Sequence, residues 1–544
     1  MSAPFSSTDA IAIAIMGSGG AGAITAGGLL LEAAGRVGWQ GLMTRSVGPQ
    51  IRGGEALAMV RLATSPVSAH GDRFHILLAL DWENAERFVD EVPLDADSLI
   101  ISDPAAGDPP ATLRASGARL LPLPLDRLAE SVPEGRANIV ALGVLAGLLA
   151  LPLESLETVV VRALARKGVN AAYLRQTLAV GHDAAAGCNG FQRPLPPVSG
   201  DSGRWLLTGN EAAALGALRG QAEDEIAALN MALGASYGGV PALTSTSGPG
   251  LALMTETLGL AVAAEIPVVV VNVMRGGPST GIPTKSEQSD LNIALYGLHG
   301  DAPHLVLAPT SVSDCLFTTQ WAVQLAETLQ CPAIVLSDQF LGQTQVACEP
   351  PPAAKPTAST RVIASVGGER YHRYALTPSG VSPMAIPGVP GRQYTADGLE
   401  HNPHGTPSSR AADHQAQLDK RRDKLLRYDY GAAWAEVEGE GEIAVLTWGS
   451  AAGPVREAAA RARARGLAVK AIALRLLAPA QPARLATLLS GVRRVLVVEQ
   501  SHSQQFLGYL RAHYALPADI LILNQPGPLP IRPAGVLAQL SQWK

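Results

Sequence analysis

Apolar runs alternate with helical patterns in the first 195 residues. Ile11–Ile15 has the composition of a short buried strand, and the glycine-rich turn Gly17–Gly22 separates it from the apolar helical pattern Ile24–Ala34. Strand, glycine turn and helix in this order are typical of the opening of a Rossmann-like unit. Further strands are predicted at Ile76–Leu80, Ser98–Ile101 and Arg119–Leu121, and helices at Asn138–Ala150 and Leu156–Arg166.

A similar alternation occupies residues 205–350. A helix is predicted over Gln221–Ala235, with acidic residues in its first turn, where the helix dipole favours them. Ala242–Thr244 is predicted as a short strand. Ile266–Val273 and Ala333–Leu336 are predominantly apolar and rich in β-branched residues, as expected of strands buried on both faces.

Residues 351–440 differ in character from the segments on either side. They are rich in proline, glycine, histidine and arginine up to His404, and a polar helix-forming run, Gln415–Arg427, follows. This pattern predicts an extended connector and not a core. Strands at Ile443–Thr447 and Arg494–Glu499 and a helix at Gly453–Gly466 follow it. We therefore predict the α/β class, with α/β domains at 1–195, 205–350 and 441–544 and a connector at 351–440.

The composition agrees with several folded domains. The chain has 544 residues, 47% of them hydrophobic and 16% charged, and a prior of one domain per ~150 residues suggests three or four domains. Lys plus Arg minus Asp plus Glu is 42 − 47 = −5, which excludes a generally basic nucleic-acid-binding protein. The longest apolar run, Ile139–Leu153, is too short to span a bilayer, and no basic segment suggests a signal peptide. We expect a cytoplasmic protein with no membrane partner.

The cysteines limit the possible metal chemistry. There are four, Cys188, Cys315, Cys331 and Cys348, and no two form a C-x-x-C pair. A zinc ribbon, a ferredoxin-type cluster or a disulfide framework on this chain is therefore not expected.

Two motifs in the first segment could bind anions. The turn Gly17–Gly22 could hold a nucleotide phosphate at a helix N-terminus, as in an NAD- or FAD-binding module, or be a tight turn without a ligand. Arg52 lies in a glycine-rich loop that ends at Glu55. It could bind a carboxylate or phosphate, or simply pair with Glu55.

Three motifs in the second segment could carry chemistry. The acids Glu223, Asp224 and Glu225 could form a solvated helix start, or one of them could be buried and share a proton with a ring nitrogen. The hydroxyl-rich turn Thr244–Gly250 could cap a helix and hold an anion or a polar ring. The loop Arg275–Lys285 directly follows a buried strand, so that Arg275 could clamp a carboxylate, although a structural turn with ion pairs is the alternative.

These three motifs together, Q-A-E-D-E-I-A-A, T-S-G-P-G and R-G-G-P-S-T-G-I-P-T-K, resemble the alpha subunit of 2-oxoacid:ferredoxin oxidoreductases. The resemblance is strongest to the 2-oxoglutarate branch, in the form with a gamma domain fused ahead of alpha. The motif Gly48–Glu55 resembles that gamma domain, and Tyr371–Tyr374 and Gly398–His401 resemble the family's connector. Residues 441–544 resemble a transketolase C-terminal-like domain, so the resemblance covers nearly the whole chain.

The resemblance implies a fold, a reaction and a set of partners. The middle domain would be a pyrimidine-type thiamine diphosphate-binding domain. A 2-oxoacid, coenzyme A and oxidised ferredoxin would give acyl-CoA, CO2 and reduced ferredoxin, reversibly. Thiamine diphosphate would be shared with a separate beta subunit that carries Mg2+ and a [4Fe-4S] cluster, in an (alpha-beta)2 assembly, with no metal ligands on this chain.

The resemblance also implies site residues. Glu223 is expected to bond the pyrimidine ring of thiamine, with Glu225 as its rival. Ser247 and Gly248 are the further cofactor contacts. Arg275 and Thr280 match the positions that hold the 2-oxoacid's carboxylate and carbonyl region. In addition, Arg52 is a weaker candidate for contact with substrate or coenzyme A.

One family feature is absent. The Y-P-I-T-P motif does not occur, because Gly209–Gly216 runs almost directly into Gln221, where a unit of about 30 residues is expected. Either a stretch is missing from this sequence, which the intact neighbouring motifs favour, or the protein has lost part of its active site. Pyruvate or another 2-oxoacid as substrate, and a catalytically silent assembly subunit, are the alternatives.

Overall fold

The computed structural model describes residues 10–47, 55–165, 168–188, 190–198, 205–208, 210–211, 224–282, 285–349, 360–365 and 371–543. The chain forms two compact units. The first unit comprises Met1–Thr208, Gln343–Pro352 and Leu529–Ala538, and the second comprises Gly209–Gly342, Ala353–Pro528 and Gln539–Lys544. No described helix is long and apolar enough to cross a membrane.

Strands and helices alternate along much of the described chain. The strands are β1 (Ala10–Gly17), β2 (Gln40–Val47), β3 (Ala56–Ala63), β4 (Ile76–Ala79), β5 (Leu99–Ser102), β6 (Arg119–Pro122), β7 (Trp205–Thr208), β8 (Leu243–Thr246), β9 (Val268–Met274), β10 (Leu305–Leu307), β11 (Pro332–Asp338), β12 (Gln345–Cys348), β13 (Ala435–Glu438), β14 (Ile443–Trp448), β15 (Val469–Leu474), β16 (Leu476–Ala478), β17 (Arg494–Glu499) and β18 (Asp519–Asn524). The α-helices are α1 (Ala23–Arg36), α2 (Ala111–Arg114), α3 (Leu125–Glu130), α4 (Ala137–Leu149), α5 (Leu153–Leu164), α6 (Ala171–Ala186), α7 (Glu225–Tyr237), α8 (Gly248–Ala263), α9 (Leu291–Tyr296), α10 (Asp314–Leu329), α11 (Gln339–Gln343), α12 (Ala411–Leu426), α13 (Ala452–Ala464), α14 (Pro482–Leu488), α15 (Gln505–His513) and α16 (Pro533–Leu540).

The first unit is built on one mixed sheet, in the order β6-β5-β4-β1-β3-β2-β12-β7. The strands from β6 to β1 are parallel, and the pairs from β1 to β7 are antiparallel. Because successive side chains of a strand point to opposite faces, Ile11, Ile13 and Ile15 of β1 join one apolar cluster and Ala12, Ala14 and Met16 join another. Helix α4 is buried on nearly all sides, as the apolar run that begins at Ile139 predicts.

Two strands of this sheet come from the predicted second domain. β7 and β12 fall within the range 205–350, but β12 pairs with β2 on one side and with β7 on the other. The first unit therefore takes strands from both ends of that range, and the boundaries predicted at 205 and 350 are each misplaced by one short strand.

The second unit contains two five-stranded sheets. One has the order β16-β10-β11-β9-β8 and the other β13-β15-β14-β17-β18. Apart from the edge strands β16 and β13, which are antiparallel, all neighbours run parallel. A single apolar cluster runs from Leu229 of α7 to Tyr514 after α15. The two α/β domains predicted in this half of the chain thus share one core.

The prediction that residues 351–440 form no core is wrong for the described part. The side chains of Arg373 and Tyr374 are fully buried, and α12 places Lys420 and Lys424 inside the unit. Both ammonium groups bond the carboxylate of Glu265, at 2.6 and 2.9 Å. Lys420 and Lys424 are therefore buried with their charges paired, whereas an argument from composition treats such residues as solvated surface.

Candidate functional site

Three parallel strands of the second unit end at one edge of their sheet. β9 lies between β8 and β11, with Asn272 opposite both Thr246 and Leu336. Because the carboxyl ends of parallel strands meet at the same edge, the turn Ser247–Gly250 and the loop that begins at Arg275 lie beside each other. This is where ligands bind in open α/β sheets.

The turn after β8 leaves room only for glycine. Ser247 precedes α8 in an extended conformation, and its side chain makes no capping hydrogen bond. A Cβ atom at Gly250 would lie 2.0 Å from Oγ1 of Thr246 and 2.8 Å from Oε1 of Glu225. The first turn of α8 therefore has the carboxylate of Glu225 directly against its backbone.

Glu225 is one of the two acids expected at the pyrimidine ring. It opens α7, whose first turn is capped by Asp224, since Oδ1 of Asp224 accepts the backbone N–H of Ala227 at 2.8 Å. Glu225 is half-buried, and its carboxylate makes no hydrogen bond or ion pair with the residues that the structure describes. Glu223, the other expected acid, lies outside the described residues.

The loop after β9 presents Arg275, whose guanidinium has no hydrogen bond or ion pair with the described part of the chain. Arg275 is half-buried, and Nε is buried without a hydrogen-bond partner. Within the described ranges no carboxylate forms an ion pair with it. A Cβ at Gly281, where φ is +60°, would lie 1.4 Å from the carbonyl oxygen of Gly276, so the loop closes tightly on itself. Thr280 lies on this loop with an exposed side chain.

A carboxylate outside the predicted set lies between the turn and the loop. A Cβ at Gly248 would lie 2.8 Å from both carboxylate oxygens of Asp290, and Oδ2 of Asp290 accepts a hydrogen bond from Nδ2 of Asn272 at 2.9 Å. Burial raises the pKa of Asp290. The Asn272 amide opposes this rise, the Glu287 carboxylate adds to it, and the Arg275 guanidinium opposes it.

Gln288 fixes the far end of this loop to the third sheet. Its backbone N–H donates to the carbonyl oxygen of Gln500 at 2.8 Å, and its Oε1 accepts the backbone N–H of Gln500 at 2.7 Å. Nε2 of Gln288 donates to the carbonyl oxygen of Trp448 at 2.9 Å. Because β14 ends at Trp448 and β17 ends just before Gln500, Gln288 ties the loop to the ends of two neighbouring strands of the sheet β13-β15-β14-β17-β18.

The assembled edge has the chemical groups of an anion site beside a site for a polar ring. Arg275 offers a guanidinium fork for a carboxylate, Thr280 offers a hydroxyl, and the side chain of Ser247 caps none of the described backbone N–H groups. Glu225 offers a half-buried carboxylate without a partner among the described residues, which can bond a ring nitrogen. The residues present thus fit an aminopyrimidine ring on one side and a 2-oxoacid on the other.

In the first unit, the glycine-rich turn Gly17–Gly22 is engaged by the chain itself. The backbone N–H of Ser18 lies 3.0 and 2.9 Å from Oδ1 and Oδ2 of Asp81, and its hydroxyl donates to Oδ2 at 2.7 Å. A carboxylate at this position repels a phosphate, so the geometry opposes a nucleotide site here.

Arg52 lies outside the described residues. Glu55, at the end of the same motif, is buried and forms an ion pair with Arg87. That acid therefore has another cationic partner.

In the part of the chain that the structure describes, none of the four cysteines forms a disulfide bond. Cys188, Cys315 and Cys331 are buried, and Cys348 is half-buried. Burial raises the pKa of the Cys331 thiol to about 12 and also raises that of Cys315. Over the described ranges, no group of three or more histidine, cysteine, aspartate or glutamate side chains could hold a metal ion.

Comparison with known families gives matches along most of the chain. Residues 208–420 match the family "Pyruvate flavodoxin/ferredoxin oxidoreductase, thiamine diP-bdg". Residues 12–180 match "Pyruvate ferredoxin/flavodoxin oxidoreductase", and residues 441–516 match "Pyruvate:ferredoxin oxidoreductase core domain II".

Relatives and a solved structure decide the family. The 2-oxoglutarate synthase subunit KorA of Methanothermobacter marburgensis is 32% identical over 330 residues, which are 60% of this chain and 86% of that protein. The chain belongs to the 2-oxoacid:ferredoxin oxidoreductase family. The 2-oxoglutarate:ferredoxin oxidoreductase from Magnetococcus marinus, solved with 2-oxoglutarate, coenzyme A and succinyl-CoA bound, matches with a TM-score of 0.89. It is 33% identical, and the match covers 98% of this chain and 99% of that one.

Other family members align over a smaller part of their length. The 2-oxoglutarate oxidoreductase subunit KorA of Mycobacterium tuberculosis is 39% identical over 293 residues, which are 52% of this chain and 44% of that protein. The chain thus spans about half the length of the first curated relatives it matches. The resemblance and the α/β fold class predicted from the sequence are confirmed.

In this family member, the edge brings together most of the described candidates. Glu225, Ser247, Gly248 and Arg275 lie on adjoining segments, whereas Thr280 is on the same loop but exposed. The residues that sequence reasoning passed over are Asn272, Gln288 and Asp290. Asn272 carried a signal, because it is the one polar residue in the strand V-V-V-V-N-V-M.

Proposed function

We propose that this chain is the alpha subunit of a 2-oxoacid:ferredoxin oxidoreductase. In this proposal it takes part in the thiamine-dependent, coenzyme A-linked and reversible oxidative decarboxylation of a 2-oxoacid. We propose 2-oxoglutarate as the substrate, with succinyl-CoA, CO2 and reduced ferredoxin as products.

The observation that carries this proposal is the guanidinium of Arg275, which has no partner among the described residues and follows the strand next to that of the turn Ser247–Gly250. A half-buried arginine without a counter-ion suits an anionic ligand, and its planar fork suits a carboxylate. The solved Magnetococcus marinus relative supports the choice of substrate, since it was obtained with 2-oxoglutarate, coenzyme A and succinyl-CoA bound.

Each candidate site residue has a defined role in this proposal. Arg275 binds and orients the substrate carboxylate, and Thr280 offers its hydroxyl to the carbonyl region. Glu223 or Glu225 bonds the pyrimidine ring, and Ser247 and Gly248 form the turn against it. Thiamine diphosphate, when bound, supplies the electron sink for loss of CO2.

The remaining groups belong to partners. We propose a beta subunit that shares thiamine diphosphate and carries Mg2+ and a [4Fe-4S] cluster, an (alpha-beta)2 assembly in the cytoplasm, and ferredoxin as the electron acceptor. Arg52 is proposed as an additional contact for substrate or coenzyme A.

The test is activity of the complete complex. The chain is co-expressed with its beta partner, and viologen reduction is followed with 2-oxoglutarate, pyruvate, and branched and aryl 2-oxoacids. We expect reduction with 2-oxoglutarate that requires both coenzyme A and thiamine diphosphate. Reduction with pyruvate but with none of the other 2-oxoacids would change the assigned substrate to pyruvate. No reduction with any 2-oxoacid would refute the enzyme assignment.

A catalytically silent assembly subunit is the second candidate. It is favoured by the absence of the Y-P-I-T-P motif before Gln221. A silent subunit would form a stable complex with the beta partner that reduces no viologen with any 2-oxoacid. Sequencing the gene between the codons for Arg219 and Gln221 shows whether the missing stretch is encoded.

A further inference from the structure

The loop that carries Arg275 is closed on itself at its base. The backbone N–H of Gly276 donates to the carbonyl oxygen of Lys285 at 3.2 Å, and that of Ile282 donates to the carbonyl oxygen of Gly276 at 3.0 Å. The hydroxyl of Ser289 donates to the carbonyl oxygen of Arg275 at 3.0 Å. The main chain at Arg275 is therefore fixed, while its guanidinium has no partner among the described residues.

The buried carboxylate of Glu287 lies against this base. Its Oε2 accepts the backbone N–H of Gly527 at 3.0 Å, and a Cβ atom at Gly276 would lie only 3.1 Å from the same oxygen. Glu287 is 8% exposed, and it forms no ion pair with the residues that the structure describes. It therefore acts on the loop through its position and its hydrogen bond, and not through a salt bridge.

The same base rests on the carboxyl ends of two strands of the sheet β13-β15-β14-β17-β18. Gly527 follows β18, and a Cβ atom there would lie 2.6 Å from the carbonyl oxygen of Ser286 and 3.3 Å from Oε2 of Glu287. Gln500 follows β17, and its Nε2 donates to the carbonyl oxygen of Ser286 at 3.3 Å. Because β17 and β18 are parallel neighbours, these segments leave the sheet at one edge, where open α/β sheets bind ligands. In this chain that edge holds the loop of the neighbouring sheet.

We propose that Glu287 is a positioning residue for the 2-oxoacid, which holds Arg275 in place by linking Gly276 to the segment at Gly527. This inference rests on the proposed function, in which Arg275 binds the substrate carboxylate. A clamp of this kind depends on geometry, because a displacement of about 1 Å can lower a rate by about a hundredfold. Glu287 acts through Arg275, so the sheet β13-β15-β14-β17-β18 takes part in substrate recognition without touching the substrate.

Three substitutions of Glu287 separate its position from its charge. Glu287→Ala removes the acceptor for the N–H of Gly527, and we expect kcat/KM for the 2-oxoacid to fall by about 10- to 100-fold. Glu287→Asp keeps the charge on a shorter side chain that no longer reaches Gly527, so it should show a similar loss. Glu287→Gln keeps an oxygen at the right length and should rescue the activity. Rescue by Glu287→Asp and not by Glu287→Gln would show that charge acts here, and it would overturn the inference.

The variants are compared in the complete alpha–beta complex by viologen reduction, with KM measured separately for the 2-oxoacid and for coenzyme A. We expect Glu287→Ala to raise the first KM and to leave the second unchanged. In an Arg275→Ala background, Glu287→Ala should cause little further loss, because both substitutions remove the same interaction. Calorimetric titration with N-oxalylglycine, an unreactive 2-oxoacid analogue, gives the same cycle for variants that turn over slowly. Losses that multiply, or an equal rise in both KM values, would indicate a general structural defect and overturn the inference.

A substitution at Gly527 changes the link from its other end. The new methyl group of Gly527→Ala would overlap the carbonyl oxygen of Ser286, so we expect the same rise in KM for the 2-oxoacid and the same non-additivity with Arg275→Ala. Glu256→Ala, at an exposed position of α8, is the control and should behave like the native chain. A native KM for the 2-oxoacid in both Glu287→Ala and Gly527→Ala refutes this inference alone. A native complex that neither binds N-oxalylglycine nor reduces viologen with any 2-oxoacid refutes the proposed function, and this inference with it.

Discussion

Gln288 and Gln500 exchange two hydrogen bonds in the second unit. The backbone N–H of Gln288 donates to the carbonyl oxygen of Gln500, and the backbone N–H of Gln500 donates to Oε1 of Gln288. The side chain of Gln288 is fully buried, so water cannot replace these hydrogen bonds. Gln288 is thus one of the residues that hold the loop behind Arg275 in place, together with Ser289, whose hydroxyl donates to the carbonyl oxygen of Arg275.

Truncating that glutamine should destabilise the second unit. Gln288→Ala leaves the N–H of Gln500 and the carbonyl oxygen of Trp448 without partners, at a cost of about 1–3 kcal/mol for each buried group. Urea unfolding measures the loss. Gln415→Ala, at an exposed glutamine of α12, is the control and should stay within about 0.5 kcal/mol of the native chain. Equal stabilities of the two variants would contradict the role of Gln288.

Replacing Arg275 should affect binding more than folding. The guanidinium has no ion pair among the described residues, so Arg275→Ala removes no internal salt bridge. In the alpha–beta complex we expect a loss of about 2–5 kcal/mol in kcat/KM for the 2-oxoacid. Arg275→Lys should fall in between, because lysine keeps the charge without the fork. Full activity of Arg275→Ala would exclude a substrate clamp.

Alanine substitutions at Gly250 and Gly234 should have opposite effects on stability. At Gly250 the new methyl group would overlap Oγ1 of Thr246 and Cγ of Glu225, so we expect a loss of about 1–3 kcal/mol and weaker thiamine diphosphate binding. Gly234, an exposed position within α7, has no atom within 4 Å of a new Cβ. Gly234→Ala should therefore stabilise by about 0.5–1 kcal/mol. Denaturation and cofactor titration distinguish the two, and equal thiamine affinities would argue against a cofactor role for this turn.

Neutralising Glu265 should leave two lysines buried without a counter-ion. Burial alone would raise the pKa of Glu265, but Lys420, Lys424 and Arg373 hold it well below its usual range. The native ion pair is thus fully formed above an ordinary glutamate pKa of about 4.3 and is lost only as pH falls through the lowered value. Glu265→Gln should cost about 3–5 kcal/mol at neutral pH.

The same variant should recover stability at alkaline pH. Burial lowers the pKa of Lys420 to about 8 even with Glu265 present. Between that pH and the unfolded lysine pKa of about 10.4, the unfolded chain binds more protons, so stability rises with pH. Urea unfolding at several pH values measures this. Glu438→Gln, an exposed acid of β13, should show neither effect, and a flat profile for Glu265→Gln would be inconsistent with buried, charged lysines.

Sequence periodicity predicted the strands that are buried on both faces. The runs predicted at Ile266–Val273 and Ala333–Leu336 correspond to the strands Val268–Met274 and Pro332–Asp338, each of which has parallel neighbours on both sides. Strands β2 and β3 were not predicted, since each carries an arginine within its apolar pattern. The pairing of β12 with β7 joins segments far apart in sequence, which local patterns do not reveal.

The candidate site was predictable where a motif holds it and not where packing creates it. The glycines that follow β8 and β9 in the sequence mark the positions where other atoms lie close to the backbone. By contrast, the place of Asp290 against Gly248 depends on how α9 begins beside α8. The buried lysines of α12 read as surface because their counter-ion, Glu265, lies 155 residues from Lys420. Long-range compensation of charge leaves no local trace.

The carboxylate of Asp81 occupies the glycine-rich turn of the first unit. It follows β4, the parallel neighbour of β1, and stands 63 residues after Ser18. There it accepts hydrogen bonds from the backbone N–H and the hydroxyl of Ser18, which a bound phosphate would otherwise accept. The chain therefore supplies its own anion to this turn. An acid placed just after a neighbouring parallel strand can thus take the position of a bound phosphate, and a glycine-rich turn of this kind is not by itself evidence of a nucleotide site.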